Sequence, residues 1–78
     1  MDLQTTEMLK KIVRNGNEYI STETLMDFLS VSDRTIFNYW KKIFRFLQDI
    51  NAEHFFSCDK KGFVFTGTEQ DLNAVAQS

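Results

Sequence analysis

The chain has 78 residues, of which 42% are hydrophobic and 14% aromatic, so we expect one small globular domain and not a disordered segment. Its net charge of −2 does not by itself indicate a nucleic-acid-binding protein, and the single cysteine, Cys58, excludes an intrachain disulfide and favours a reducing compartment. Because no segment approaches about 18 uninterrupted apolar residues and no signal peptide is visible, we expect a cytoplasmic protein without a membrane segment.

The first predicted helix begins at Thr5 or Thr6, with Glu7 in its first turn, where the helix dipole favours an anion. Its apolar face consists of Met8, Leu9, Ile12 and Val13, and its last turns carry Lys10, Lys11 and Arg14. These cations could contact a phosphate backbone, but a solvated helix end is the more common interpretation. Asn15-Gly16-Asn17 should end the helix, since Gly16 suits the left-handed C-cap conformation.

A short extended segment, Glu18-Tyr19-Ile20, is long enough only for a small strand beside a later hairpin. Ser21 or Thr22 should cap a second helix, whose predicted buried residues are Leu25, Phe28 and Leu29, with Met26 as a further partner. The turn Ser30-Val31-Ser32 then leads into a third helix. Two helices joined by so short a turn are typical of a helix-turn-helix, although the usual glycine is absent from this turn.

The third and longest predicted helix runs from Ser32, which can cap it, to Ile50, and contains no Gly or Pro. At about 100° per residue, the apolar stripe that faces the core consists of Ile36, Trp40, Ile43, Leu47 and Ile50. The opposite stripe consists of Arg34, Asn38, Lys41 and Arg45, with no acid. Residues 31–45 contain four cations and one acid, a balance of +3, whereas residues 1–30 carry −2. The local field, more than the net charge, decides how a surface meets phosphate.

The polar stripe suits the major groove of DNA, because Arg and Lys pair with guanine or phosphate and Asn pairs with adenine. A solvated surface face is the alternative, and spacing alone does not decide between the two. The predicted base-contacting residues are Arg34, Thr35 and Asn38. The predicted phosphate-contacting residues are Ser32, Lys41, Lys42, Arg45, Lys60 and Lys61.

Two segments rich in β-forming residues follow the long helix, residues 53–57 and 63–66, joined by the loop 58–62. Gly62 is available for a positive φ, and Lys60 and Lys61 lie at the charged tip. A hairpin after a helix-turn-helix is a wing, whose tip contacts DNA or simply keeps the hairpin soluble. The predicted fold class is therefore α+β, mostly α: a winged helix-turn-helix of three helices and a β-hairpin.

We assign residues 1–67 to this DNA-binding domain and residues 68–78 to the start of a connecting helix. Thr68-Glu69-Gln70-Asp71 fits a capping box, and the helix that it opens stops after barely two turns at Ser78. Helices of this length are rarely stable alone, so we expect the natural chain to continue into a C-terminal part.

Val31-Ser32-Asp33-Arg34-Thr35-Ile36, followed by Lys41-Lys42-Ile43, resembles the recognition-helix signature of winged helix-turn-helix bacterial regulators. The same pattern is matched by Tyr19-Ile20-Ser21, by Lys61-Gly62-Phe63-Val64-Phe65 and by Gly67-Thr68-Glu69. Over roughly residues 5–75, the chain resembles the N-terminal domain of Mga-like virulence regulators and PRD-containing sugar-operon regulators. The resemblance implies a cytoplasmic transcription regulator of a low-GC Gram-positive bacterium that binds double-stranded DNA. It also implies a following regulatory or phosphotransferase-responsive domain, and homodimers formed through those further parts.

Four residues depart from the family pattern, and two of these departures lower the expected affinity for DNA. Asp33 stands where a basic residue is frequent, Asn38-Tyr39 replaces an Arg-Asp pair, and Trp40 replaces an aliphatic residue. Two missing cations weaken the phosphate contacts that dominate affinity, so we expect weak DNA binding by this domain alone.

The long helix also carries more aromatic residues than one core stripe requires. Phe37 and Phe44 lie seven residues apart on one flank, and Tyr39 and Phe46 lie seven apart on the other. Because a small domain can hardly bury both flanks, an exposed flank would favour a second hypothesis, a winged-helix module for protein–protein association. Phe37, near the groove face, could instead contact a thymine methyl or a sugar.

An enzymatic function has little support in the sequence. His54 is the only histidine and adjoins Phe55 and Phe56, so a packed or exposed strand histidine is expected and not a general base. Cys58 has no second thiol or histidine at ligand spacing, which predicts no zinc site and an ordinary loop thiol in preference to a redox sensor. Since no glycine-rich phosphate loop or nucleophile–base pair is present, we expect no catalysis, metal or cofactor.

Overall fold

The computed structural model of the protein describes residues 2–67 and residue 70, and it shows three helices followed by a two-stranded antiparallel hairpin. The elements are α1 (Leu3–Arg14), α2 (Thr22–Leu29), α3 (Asp33–Asp49), β1 (Phe56–Asp59) and β2 (Gly62–Phe65). This order confirms the predicted α+β, mostly helical winged helix-turn-helix arrangement. The capping box and the helix predicted beyond Gly67 lie outside the continuous stretch 2–67. None of the helices that the structure describes is long and apolar enough to cross a membrane.

Serine caps begin α2 and α3 where the sequence predicts. The Ser21 hydroxyl oxygen accepts the Thr24 backbone N–H at 3.1 Å, and the Ser32 hydroxyl oxygen accepts the Thr35 backbone N–H at 3.3 Å. Each bond satisfies one backbone donor that the first helical turn leaves free. Between the two helices, Ser30 adopts a left-handed φ of 56°, the conformation for which a helix end usually employs glycine.

Helix α1 begins earlier than predicted. The predicted start at Thr5 or Thr6 was wrong, because Asp2 is the N-cap and its Oδ1 accepts the Thr5 backbone N–H at 2.8 Å. Aspartate is as effective a cap as serine. The earlier start places Thr5 inside the helix, where its side chain is fully buried.

The core gathers side chains from all three helices and from β2. Residues with 1% exposure or less include Met8, Ile12, Leu25, Ile36, Ile43, Leu47, Phe63 and Phe65. Two residues predicted in the core lie at the surface instead, since Phe28 is 47% and Ile50 is 36% exposed. Ile50 follows the last turn of α3 with a φ of −106°, so helical periodicity no longer directs it inwards. Phe28 lies beside Lys11 of α1, whose Nζ is 5.0 Å from the centre of its ring.

Strand β2 has a hydrogen-bonded partner on each edge, β1 on one side and the single residue Ile20 on the other. It pairs with β1 in a register that runs from Phe56–Phe65 to Asp59–Gly62. On its other edge, the Ile20 N–H donates to the Phe63 oxygen at 2.8 Å, and the Phe63 N–H donates to the Ile20 oxygen at 2.9 Å. The predicted short extended segment beside the hairpin is therefore confirmed.

The predicted boundaries of the first hairpin strand were wrong at both ends. Glu53–Phe55 forms a 3-10 turn, because Asn51 turns the chain at a φ of 57° and the Phe55 N–H donates to the Ala52 oxygen at 3.2 Å. At the other end, the strand continues to Asp59 through residues that the sequence places in the loop. The Asp59 carboxylate accepts the Lys61 N–H at 2.7 Å, so a turn of only residues 60–61 is sufficient.

Gly62 should be the residue of the hairpin that is least tolerant of substitution. It has a φ of 121°, and an added Cβ would lie 2.0 Å from the Ile20 carbonyl oxygen. We expect Gly62→Ala to lower the free energy of unfolding, measured by urea denaturation, by about 3 kcal/mol. Gly16→Ala is the matched control, because Gly16 has a φ of 71° but nothing within 4 Å of the added Cβ, and a loss of only about 1 kcal/mol is expected. Equal losses would contradict the close approach of β2 to Ile20.

Candidate nucleic-acid interface

The side of α3 that faces away from the core carries what we call the outer stripe. It consists of Arg34, Asn38, Lys41 and Arg45. All four side chains are exposed, whereas Ile36, Ile43 and Leu47 on the opposite side of the helix are fully buried. Within residues 2–67, no hydrogen bond or ion pair engages any of these four side chains. The outer stripe is therefore held on a capped, packed helix while its polar atoms remain available to a partner.

The N-terminus of α3 is occupied by its own side chains. Ser32 is exposed, but its hydroxyl caps the helix and lies 3.1 Å from the Thr35 hydroxyl, which is half-buried. The Asp33 carboxylate accepts the Arg34 backbone N–H at 2.7 Å, at the place where the helix dipole would favour a bound anion. A phosphate would therefore meet the cations of the outer stripe, and not the bare helix end.

Lys42 lies apart from the outer stripe, on the side of α3 that faces α1. Its Nζ forms an ion pair of 3.0 Å with Oδ2 of Asp2 and lies 6.0 Å from the centre of the Tyr39 ring. The Tyr39 hydroxyl in turn donates to the side-chain oxygen of Gln4. The structure therefore places Lys42, one of the predicted phosphate contacts, in the junction between α1 and α3.

The two lysines at the tip of the hairpin differ in their surroundings. Lys61 Nζ lies 5.6 Å from the centre of the Tyr19 ring, and Asp59 nearby raises the pKa of the Tyr19 hydroxyl. Lys60 is exposed, and among the described residues it has no ion-pair partner. Lys60 is thus the more available cation of the tip, and Lys61 is held against the strand-like segment that precedes α2.

The two aromatic flanks of α3 differ in their burial. Tyr39 and Phe46 are half-buried and pack against the core, whereas Phe37 and Phe44 remain 46% and 38% exposed. Trp40, between the flanks, lies against the hairpin, with its ring centre 4.9 Å from that of Phe63. The sequence pattern indicated an excess of aromatic residues on α3 but did not reveal that the hairpin packs on one flank.

A second cationic region lies between α1 and α2. Lys10, Lys11 and Arg14 line a shallow recess of about 180 Å³, together with Glu7, Asn15 and Phe28. Glu7 neutralises part of this charge, and the ammonium of Lys11 is directed towards the ring of Phe28. The recess is therefore a less positive surface than the outer stripe, which contains no acid.

The other chemically reactive side chains lie singly. His54 is exposed, with its ring centre 4.1 Å from that of Phe55. Cys58 lies in β1, where partial burial and the charge of Asp59 raise the pKa of its thiol above the ordinary value of 9.0. The thiol is consequently protonated at neutral pH. Within the described residues, no three His, Cys, Asp or Glu side chains are grouped to hold a metal ion.

Comparison of the chain with protein-family models, with curated proteins and with solved structures found no match. The resemblance to Mga-like and PRD-containing regulators accordingly stays a prediction from the sequence.

The Asp2 carboxyl at the junction between α1 and α3 should make the free energy of unfolding depend on pH in the acidic range. The Thr5 backbone N–H, followed by the Lys42 ammonium, holds the pKa of the Asp2 carboxyl well below its ordinary value of 3.8. Because the folded-state pKa is depressed, this contribution to stability is present above about pH 4 and is lost as the pH falls through the folded-state value. We expect Asp2→Asn to melt at a lower temperature than the wild type at pH 7, with a difference that narrows below about pH 4. A constant difference down to about pH 2 would contradict this role of the carboxylate.

Proposed function

We propose that this chain is the DNA-binding domain of a bacterial transcription regulator, with α3 in the major groove and the hairpin as the wing. The observation that carries the proposal is the outer stripe, in which three exposed cations and one amide follow a single side of the longest helix with no acid among them. A solvated helix face usually mixes both signs of charge. A face of one sign on a domain of net charge −2 is better explained by an anionic partner.

The dimensions of α3 fit this partner. From Arg34 to Arg45 the outer stripe spans roughly 16 Å at 1.5 Å per residue, and the major groove is about 12 Å wide. The far side of α3 is anchored in the core, so the helix can enter the groove without losing its packing. The hairpin packs beside α3, as the contact of Phe63 with Trp40 illustrates, and it is therefore placed to follow the helix onto the duplex.

Different residues would have different tasks on DNA. Arg34 and Asn38, in the first half of α3, suit guanine and adenine edges, with Thr35 beside them. Phosphate contacts are assigned first to Lys41, Arg45 and Lys60, which no described acid neutralises. Ser32 is a weaker candidate, since its hydroxyl serves the cap. Lys42 and Lys61 are the weakest candidates for phosphate contacts, because Lys42 is paired with Asp2 and Lys61 lies over the Tyr19 ring.

The small number of available cations predicts modest affinity with a measurable salt dependence. With about three phosphates neutralised, the logarithm of the binding constant should fall with a slope of about −3 against the logarithm of the salt concentration. Raising the salt from about 50 to about 200 mM should therefore weaken binding by roughly 60-fold.

A second candidate function is protein–protein association through the exposed aromatic flank. It is favoured by Phe37 and Phe44, which remain 46% and 38% exposed on one side of the helix. Sedimentation at low salt without DNA distinguishes the two functions. Association through this flank predicts a dimer of the domain, or a complex with a protein partner, under these conditions.

Arg34 and Lys60 should have separable effects on DNA binding, measured by fluorescence anisotropy and by sequencing the duplexes retained from a random pool. Arg34→Ala should cost about 1–3 kcal/mol on preferred sequences and relax specificity at one base position, because it removes a base contact. Lys60→Ala should weaken binding to all sequences alike and reduce the salt slope by about 1, because it removes a phosphate contact.

Matched controls come from α1, where Arg14→Ala and Lys10→Ala remove the same charges from exposed positions away from the outer stripe. Both controls should retain nearly the wild-type affinity and specificity. If Arg34→Ala and Lys60→Ala lowered affinity equally on every sequence, the assignment of Arg34 to a base edge would be wrong. If the α1 variants lost as much as the α3 variants, binding would depend on total charge and not on the outer stripe.

A further inference from the structure

Phe37 is a large apolar side chain at the edge of the outer stripe. It is 46% exposed, and at helical spacing it adjoins Arg34, three residues before it, and Lys41, four residues after it. The one acid on the same turn, Asp33, has its carboxylate directed to the helix N-terminus, where it accepts the Arg34 backbone N–H. The exposed part of the ring is therefore bordered by two available cations.

The Phe37 ring packs on its inner side against Phe63 of the hairpin. Its centre lies 6.3 Å from that of Phe63 at an interplanar angle of 56°, and Phe63 is itself fully buried against Trp40. A side chain packed in this way has lost much of its rotamer freedom before any partner arrives. Phe37 thus presents a positioned apolar edge to whatever α3 binds.

We propose that Phe37 is a specificity-determining residue that contacts the C5-methyl group of thymine in the major groove. This inference rests on the proposed function. The thymine methyl is the apolar group on the major-groove edges of the bases, and aromatic side chains pack against it. An apolar protein surface laid on Phe37 would also have to bury Arg34 and Lys41, which is costly without anionic partners. DNA supplies phosphates to the cations and a methyl group to the ring at the same time.

The test compares two duplexes that differ only in that methyl group. One is a duplex of about 12 base pairs, closed by a hairpin loop, that contains both G·C and A·T pairs so that Arg34 can contact guanine, and the other has uracil at every thymine. Uracil keeps the hydrogen-bonding edge and all phosphates, so a difference in affinity isolates the methyl contact. The dissociation constants of the 78-residue chain, Phe37→Ala and Phe44→Ala are measured by anisotropy at low salt, after melting curves show that each variant is folded.

We expect the wild-type protein to prefer the thymine duplex by about four-fold, the factor that corresponds to the burial of one methyl group. Phe37→Ala should bind both duplexes equally and keep the wild-type salt slope. Phe44→Ala, the matched control on the same flank seven residues later, should keep the preference.

Three outcomes would overturn the inference. Equal wild-type binding to both duplexes would reject the methyl contact and leave the proposed DNA binding intact. A thymine preference that Phe37→Ala retains would assign the contact to another residue. No binding to either duplex, together with a dimer that Phe37→Ala dissociates in sedimentation, would reject both proposals in favour of protein association. The first comparison needs only wild-type protein, so it can reject the methyl contact even if Phe37→Ala fails to fold, and Phe37→Leu, which keeps an apolar side chain but removes the ring, then replaces the alanine variant.

Discussion

The aromatic contact between Trp40 and Phe63 is the interaction on which the rest of the structure depends. The ring centres are 4.9 Å apart, and the rings are tilted by 51°. Trp40 belongs to α3 and Phe63 to β2, so this contact joins the hairpin to the long helix. Phe63 also makes both backbone hydrogen bonds to Ile20, which attaches the hairpin to the segment before α2. This pair of residues therefore links α3, the hairpin and the segment before α2, and it lies on the side of α3 that the hairpin covers.

The contact between α1 and α3 leaves the positive charge of α3 unevenly distributed. The face of α3 that meets α1 has its cation, Lys42, paired with Asp2, whereas the cations of the outer stripe have no such partner among the described residues. Lys42 is neutralised in this pair, whereas its neighbour Lys41 is not. The positive field is therefore concentrated on one side of a domain whose net charge is −2. That field would orient the domain as it approaches phosphate, while the small number of cations limits the affinity.

Local sequence signals predicted much of the fold, and tertiary packing decided the rest. The Ser21 and Ser32 caps and the 3.6-residue period of α3 depend on neighbours along the chain, so α2 and α3 follow from the sequence almost to the residue. The outer stripe is predictable for the same reason. Phe28 was misplaced because its environment is set by Lys11 on another helix, and the separate positions of Lys42 and Lys61 depend on distant residues of α1 and of the segment before α2. Periodicity along one element cannot reveal such contacts.

NMR would show directly whether the outer side of α3 is a DNA-binding surface. Backbone amide shifts of the isotopically labelled protein would be followed during titration with a random-sequence duplex at low salt. If α3 lies in the major groove, the amide shifts should change mainly at residues 34–45 and at Lys60, the changes should diminish as salt is added, and Lys10 and Arg14 should be unaffected. Shifts concentrated on the recess between α1 and α2, or a spectrum unaffected by DNA at low salt, would contradict this placement of α3.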